Sequence, residues 1–347
     1  MDRGRDRAGV LPLPGPAGPA LPGGPPVSEP VAPYLQRYRE RVAGANGAGG
    51  DGGDGRTPLA LRQLHAGRDG RGPAAPHAEP TRSPEIEAAA PLPDTDGCVE
   101  LHLIRHGETQ SYLADAGLTP RGTWQCRRLG QELAAEVRDG EAVRILCAPT
   151  ARAARTADQL RIGLEDALAA CGRRADVHGP EPAERFRNFQ VWTPVGLLDP
   201  TGAAGEYRSM LGRQVAFQPG ERPLWQLELS RFWFLQAGGG DPIEFWLTNP
   251  LLAFEPPAAV VRRFWAGAVE LAPALGRPTR VVCCTHSGPM RAFATWALGH
   301  DAGEPFNTEQ VRVRVWPQQG RATVTYRGRT QEIVGPPAAD GVAWWES

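Results

Sequence analysis

The chain is predicted to fold as a three-layer α/β/α domain around a mostly parallel central sheet, with an aromatic-rich insertion as a cap and a disordered N-terminal arm. Three observations carry this prediction. From about Cys98 onward, apolar runs of strand length alternate with amphipathic helical patterns, the signature of βα units. Residues 189–255 interrupt that alternation with a stretch dense in Trp, Phe, Leu and Arg. Residues 1–93 are dominated by Gly, Pro, Ala, Arg and Asp, with aromatics at Tyr34 and Tyr38 only, so they cannot bury enough apolar surface to offset their ordering entropy. The predicted organisation is therefore an arm over 1–93, a folded domain over 94–334 and a loose tail over 335–347.

In chain order, Pro30 to Val42 has the spacing of a short amphipathic helix, through Val31, Tyr34, Leu35, Tyr38 and Val42, transient and without a partner. Val99 to Arg105 reads as the first strand. Thr119-Pro120 supplies an N-cap with Pro at the first helical position, and Cys126, Leu129, Gly130, Leu133, Ala134 and Val137 recur on one helical face. Val143 to Cys147 is a second strand. The helix after Thr150 aligns Ala153, Ala157, Leu160, Leu164 and Leu168 and puts Arg152 in its first turn. Pro257 to Leu275 is a further helix with Val261, Phe264, Trp265, Ala268 and Leu271 inward. Arg280 to Thr285 is an apolar strand, followed by a helix from Ser287 to Leu298, and Val311 to Trp316 with Ala322 to Tyr326 forms a closing hairpin. The insertion is predicted as a helical cap with Gly238-Gly239-Gly240 as a turn.

Composition removes several functions. The formal net charge is -1, from 38 Lys+Arg against 39 Asp+Glu, which gives no electrostatic case for nucleic acid or membrane binding. Every one of those bases is Arg, so P-loop, Schiff-base and kinase-type lysines are excluded. The six cysteines form no CxxC pair and are expected as reduced thiols. No broken or continuous run has the character of a signal peptide or a membrane span. A cytoplasmic protein is the expectation.

Arg105-His106-Gly107-Glu108-Thr109 places an imidazole beside a guanidinium at a strand end. Arg152 opens the helix after a second strand, and His286 in Thr285-His286-Ser287-Gly288 follows a third. Ligands of open α/β sheets bind at the carboxyl ends of strands, where helix N-termini also favour anions, so the three pieces share one edge. Leu103 to Thr109, then Leu118-Thr119-Pro120-Arg121-Gly122 with Gln125, then Arg152-Ala153 with Thr156-Ala157, then His286-Ser287-Gly288, resemble the histidine phosphatase superfamily, the phosphoglycerate mutase-like family.

The resemblance implies that 94–334 is a catalytic domain and that the chain is a metal-independent phosphomonoesterase without a cofactor. His106 would carry the phosphoryl group as phosphohistidine. Arg105 and Arg152 would hold its oxygens, and His286, if protonated, would add a third cationic donor. The family's general acid lies between the second Arg and the second His. Glu184 fits best, with Glu181 and Asp241 as alternatives. Two departures stand out: Arg187-Asn188-Phe189-Gln190-Val191-Trp192 replaces the family's Gly and acidic pair, and Tyr112 stands where many members have Asn.

Glu108 is expected either to hydrogen-bond near the pocket or to serve structure alone, and His102, His178 and His300 are read as packing or surface residues. The insertion aromatics, Trp192, Tyr207, Phe217, Trp225, Phe232, Trp233, Phe234, Phe245 and Trp246, either cover the substrate or form a satellite core. Arg208, Arg213 or Arg231 would read a second anionic group of a small organic phosphate ester bulkier than a triose phosphate. A phosphoglycerate mutase-like phosphotransferase and a catalytically silent phospho-ligand-binding protein are the alternative readings.

Overall fold

The computed structural model describes residues 98–111, 115, 117–212, 222–271 and 279–336. The predicted arm over 1–93 with its helix at 30–42, Tyr112, Arg213, Phe217 and the tail beyond 336 with Trp344-Trp345 lie outside the described residues.

Seven strands form one sheet in the order β3-β2-β6-β1-β7-β8-β9. They are β1 (Val99–Arg105), β2 (Ala142–Cys147), β3 (Asp176–Pro182), β6 (Thr279–Thr285), β7 (Gln310–Trp316), β8 (Arg321–Tyr326) and β9 (Arg329–Val334). The first four in spatial order run parallel, and β7, β8 and β9 continue the sheet antiparallel. Helices α1 (Pro120–Glu136) and α2 (Ala151–Ala170) cover one face. Helices α6 (Pro257–Leu271) and α7 (Ser287–Leu298) pack together and against β1.

Strand alternation sorts the core. Ile104, Val143, Ile145, Val282 and Cys284 meet Leu129, Leu133, Leu160 and Leu164 of α1 and α2. Their alternates Leu103, Val281 and Cys283, also buried, point to the other face. The α1–α2 contact is close because Gly130 and Gly163 carry no side chain: a Cβ on either would lie 2.1 Å from a carbonyl oxygen of the partner helix. Helix α1 begins as predicted, with the Thr119 hydroxyl accepting from the Gly122 N–H and Pro120 in the first turn.

Several elements depart from the sequence reading. β3 lacks a run of core-forming side chains, and its residues are half-buried or exposed, so only its pairing with β2 reveals it. β9 is likewise polar and exposed. On α6, Trp265 is only half-buried, while Arg263 is buried instead. The insertion is not purely helical: β4 (Val191–Thr193) and β5 (Gly196–Leu198) form a two-stranded hairpin before α3 (Pro200–Gly212), α4 (Leu224–Ala237) and α5 (Pro242–Thr248). Gly238 to Gly240 turns α4 into α5 as predicted, with Gly239 at φ 77°.

The insertion has its own aromatic core. Phe189 stacks on Trp246 with centroids 4.3 Å apart and packs against Phe232 and Phe254. Arg263 ties this unit to the sheet: its Nε and one terminal nitrogen donate to both oxygens of buried Glu255 at 3.0 and 3.1 Å, and its other terminal nitrogen donates to the carbonyls of Arg185 and Arg187. The fork thereby fixes the segment that enters the site. Among the described residues, no helix is long and apolar enough to cross a membrane. The six cysteines are free, and Cys126, Cys147, Cys283 and Cys284 are buried.

Candidate active site

Parallel pairing aligns the ends of β1 and β6, with Arg105 opposite Thr285, and of β2 and β6, with Cys147 opposite Cys284. The residues that leave these strands, His106, Ala148 and His286, therefore emerge together. Hydrogen bonds lock the turn: the His106 N–H donates to the Thr285 carbonyl at 2.9 Å, and the Asn307 amide donates to the His106 carbonyl at 2.9 Å. Gly107 is required by close approach, since a Cβ there would sit 2.7 Å from Cys126 Sγ and 2.8 Å from the Gly122 carbonyl oxygen. Its N–H donates to Thr156 Oγ1, whose hydroxyl in turn donates to the Arg152 carbonyl. The first turn of α2 is thus fastened to the end of β1.

A cavity of about 400 Å³ opens on this edge. Arg105, His106, Arg152, Asn188, His286 and Ser287 supply its polar wall, and Phe189, Phe232, Trp233 and Ile243 its apolar wall. The His106 and His286 rings meet edge to face at 5.3 Å. His106 Nδ1 lies 2.9 Å from the Gly107 carbonyl oxygen, which can only accept. Nδ1 therefore carries the proton in the neutral ring, and Nε2 carries the lone pair.

Burial first, then the nearby Arg152 and Arg105 charges, push His106 down to about 3. Burial, with Arg152 and His106 beside it, likewise holds His286 well below the ordinary imidazole value. Both effects favour the neutral ring of His286. Its Nδ1 is buried without a hydrogen-bond partner, and its Nε2 lies 3.3 Å from Thr150 Oγ1.

Arg105 pairs with Glu304 at 2.9 Å and also donates to the Pro305 carbonyl. Arg152 pairs with Asp115 at 3.3 Å and Asp199 at 2.8 Å, while its buried Nε has no partner. Asp115 also accepts from the N–H groups of Ala151 and Arg152 at the start of α2.

Residues 101–171 match the family model described as the histidine phosphatase superfamily, branch 1. The match takes in Arg105, His106 and Arg152 and stops short of the insertion and His286. No curated protein sequence matches the chain. Among solved structures, the chain is similar to a mycobacterial glucosyl-3-phosphoglycerate phosphatase, at 17% identity over 62% of this chain and 90% of that one, with a TM-score of 0.35. A putative alpha-ribazole-5'-P phosphatase from Escherichia coli shares 16% identity over 71% and 99%, TM-score 0.37. A phosphoglycerate mutase from Bacillus anthracis shares 14% over 67% and 93%, TM-score 0.38.

The fold thus brings Arg105, His106, Arg152 and His286 to one cavity. The candidate acids are placed elsewhere or engaged. Glu184 is exposed in a one-turn 3-10 helix, Glu184–Phe186, and lines an adjoining cavity of about 540 Å³ that shares Arg152, Asn188 and Thr201 with the first. Glu181 pairs with Arg144 at 2.7 Å across β2 and β3 and lines neither cavity. Asp241 lines the His106 cavity but caps α5 and pairs with Arg291 at 2.6 Å.

Glu108 accepts from the Thr119 hydroxyl at 2.8 Å and so serves the α1 cap. Of the arginines expected to read a second anion, Arg208 lines the adjoining cavity, whereas Arg231 is exposed over the Phe245 ring. The insertion aromatics divide: Trp225 and Trp246 are core, Phe232 and Trp233 line the His106 cavity, and Trp192 and Phe234 are exposed. Sequence reasoning missed Asn188, Asp115 and Asp199. For Asn188 a signal existed, since its neighbours Phe186 and Phe189 mark a buried segment; for the two aspartates none did.

Proposed function

We propose that the chain is a phosphomonoesterase that passes a phosphoryl group through Nε2 of His106 without a metal ion. One observation carries this reading: the Gly107 carbonyl fixes the neutral tautomer of His106 whose Nε2 holds the lone pair, inside a cavity whose lining includes Arg105, Arg152 and His286. Nε2 attacks phosphorus, the bond to the leaving oxygen breaks, and water then displaces His106 to release inorganic phosphate. The two guanidiniums supply the positive charge that the equatorial oxygens need, and their fork geometry matches those oxygens. A second phosphate-ester group would meet Arg208 in the adjoining cavity.

Hydrolysis of p-nitrophenyl phosphate in excess EDTA, by the wild type and by His106→Ala, tests the reading. Turnover that persists in EDTA and falls by about 10⁴-fold or more in the variant is the expected result, the scale of a lost nucleophile. Loss in EDTA, or survival in the variant, would sink it.

A further inference from the structure

A leaving alkoxide must be protonated or be stable enough to depart as an anion. Among the described residues, two carboxylates line the His106 cavity, Asp241 and Glu304, and both are engaged. Asp241 accepts from the N–H groups of Ile243 and Glu244 at 3.0 and 2.9 Å and pairs with Arg291. Glu304 pairs with Arg105 at 2.9 Å and reaches Arg291 at 3.8 Å. Accepting hydrogen bonds and ion pairing are the opposite of presenting a proton to a substrate oxygen.

The segment that carries Glu184 sends different side chains into this cavity, Asn188 and Phe189. Asn188 is buried, and its Oδ1 accepts from the Phe189 N–H at 3.0 Å, which assigns the amide and leaves its NH₂ as the end available to a ligand. The main chain around it is held by Arg263, which donates to the carbonyls of Arg185, Arg187 and Asn188. An amide donates a hydrogen bond but transfers no proton. Among the described residues, the two carboxylates that line the cavity of the nucleophile are thus both held by bases, and Glu184 lines the adjoining cavity.

We infer that the site is built for phosphoryl donors whose leaving group departs as a stable anion: acyl phosphates, phosphoanhydrides and aryl esters rather than alkyl phosphomonoesters. This rests on the His106 reading above. In the first step the Nε2 electron pair forms the N–P bond, and the leaving oxygen takes the electron pair of the P–O bond, stabilised by the Asn188 NH₂ and the guanidiniums. In the second step water gives its oxygen to phosphorus and a proton to the medium, and the N–P pair returns to Nε2. No group on the protein has to donate a proton in the first step.

The experiment is kcat/KM for acetyl phosphate, p-nitrophenyl phosphate, phenyl phosphate and glycerol 2-phosphate with the full chain, for the wild type, His106→Ala, Asn188→Asp and Glu184→Gln. The expected result is a steep fall along the series, with the alkyl ester lower than the nitrophenyl ester by at least the roughly 10²–10⁴-fold that a general acid supplies. Asn188→Asp is expected to narrow that ratio and to add an acidic limb to the alkyl-ester pH profile. Alkyl and nitrophenyl esters turned over within about tenfold of each other would overturn the inference. So would a selective loss of alkyl-ester turnover in Glu184→Gln. Nitrophenyl turnover that is absent, or that survives His106→Ala, would instead overturn the nucleophile assignment and with it the basis of this one.

Discussion

Strand β1 carries buried His102 and is followed directly by buried His106, and their surroundings treat the two rings differently. At the far end, His102 has both ring nitrogens bonded: Nδ1 donates to Gln310 Oε1 at 2.9 Å, and Nε2 accepts from Arg280 at 2.8 Å. Arg280 in turn pairs with Glu100, Glu136 and Glu141, while Arg312 and Arg314 complete the network against Glu136 and Glu100. Glu100, His102 and Glu136 have the spacing of metal ligands, but the Arg280 guanidinium lies against all three, so a cation is already supplied by the chain. At the carboxyl end, His106 and His286 sit beside Arg105 and Arg152, both imidazoles are driven to the neutral form, and His286 Nδ1 and Arg152 Nε remain buried without partners. The same residue types make a closed structural network in one place and an anion-seeking cavity in the other. What separates them is access: both ring nitrogens of His102 are bonded within the protein, whereas His106 and His286 line an open cavity.

That contrast can be broken from either side. The largest expected effect on stability is at the far end: Arg280→Met takes the donor from buried His102 Nε2, while Glu100 and Glu136 keep Arg314 and Arg312, and should cost about 1–3 kcal/mol. Denaturant unfolding would measure it, and turnover per folded molecule should be unchanged; a specific loss of turnover would erase the distinction between the two ends. Next is Arg152→Met, expected to lower kcat/KM for p-nitrophenyl phosphate by roughly 10²–10³-fold, about 3–4 kcal/mol of transition-state stabilisation. A steady-state assay that finds less than tenfold would mean that Asp115 and Asp199 keep Arg152 away from the substrate.

The smallest effect sharpens the comparison through pH. His106 has a folded value of about 3, and His286 is also well below ordinary imidazole. Between those values and the ordinary 6.5, the unfolded chain binds protons that the native state excludes, so stability rises with pH and is lost on acidification. Each histidine contributes up to about 1.4 kcal/mol per pH unit in that window. Unfolding free energies of the wild type and His106→Gln near about pH 5 and pH 7 should show a shallower slope in the variant. Equal slopes would mean that His106 is protonated in the native state.

The sheet edge was legible because its residues are fixed by local rules. A strand ends where its apolar alternation ends, so Arg105-His106 and His286 had to follow β1 and β6, and Thr150 had to open α2 with Arg152 in its first turn. The glycines of the motif answer to packing at a distance instead, since a Cβ on Gly107 would meet Cys126 Sγ at 2.7 Å and one on Gly288 the Phe189 ring at 2.5 Å. The insertion was less legible because its aromatics satisfy one another. Phe189 on Trp246 and Tyr207 on Trp225 leave no periodic stripe that separates a core residue from a cavity wall.

By itself the sequence determined the α/β class, the four motif residues and their common edge, since each follows from a strand end or a helix start. Tertiary structure alone decided which acids reach the site. Glu184 and Asn188 are four residues apart, and Arg263, which reaches the carbonyls of Arg185 and Arg187 from 78 and 76 residues away, holds the segment that turns the amide into the His106 cavity and leaves the carboxylate in the neighbouring one. Asp115 and Asp199 reach Arg152 from loops 37 and 47 residues away in sequence. Partners at that separation are set by how loops close over the sheet, and no local pattern of side chains encodes it.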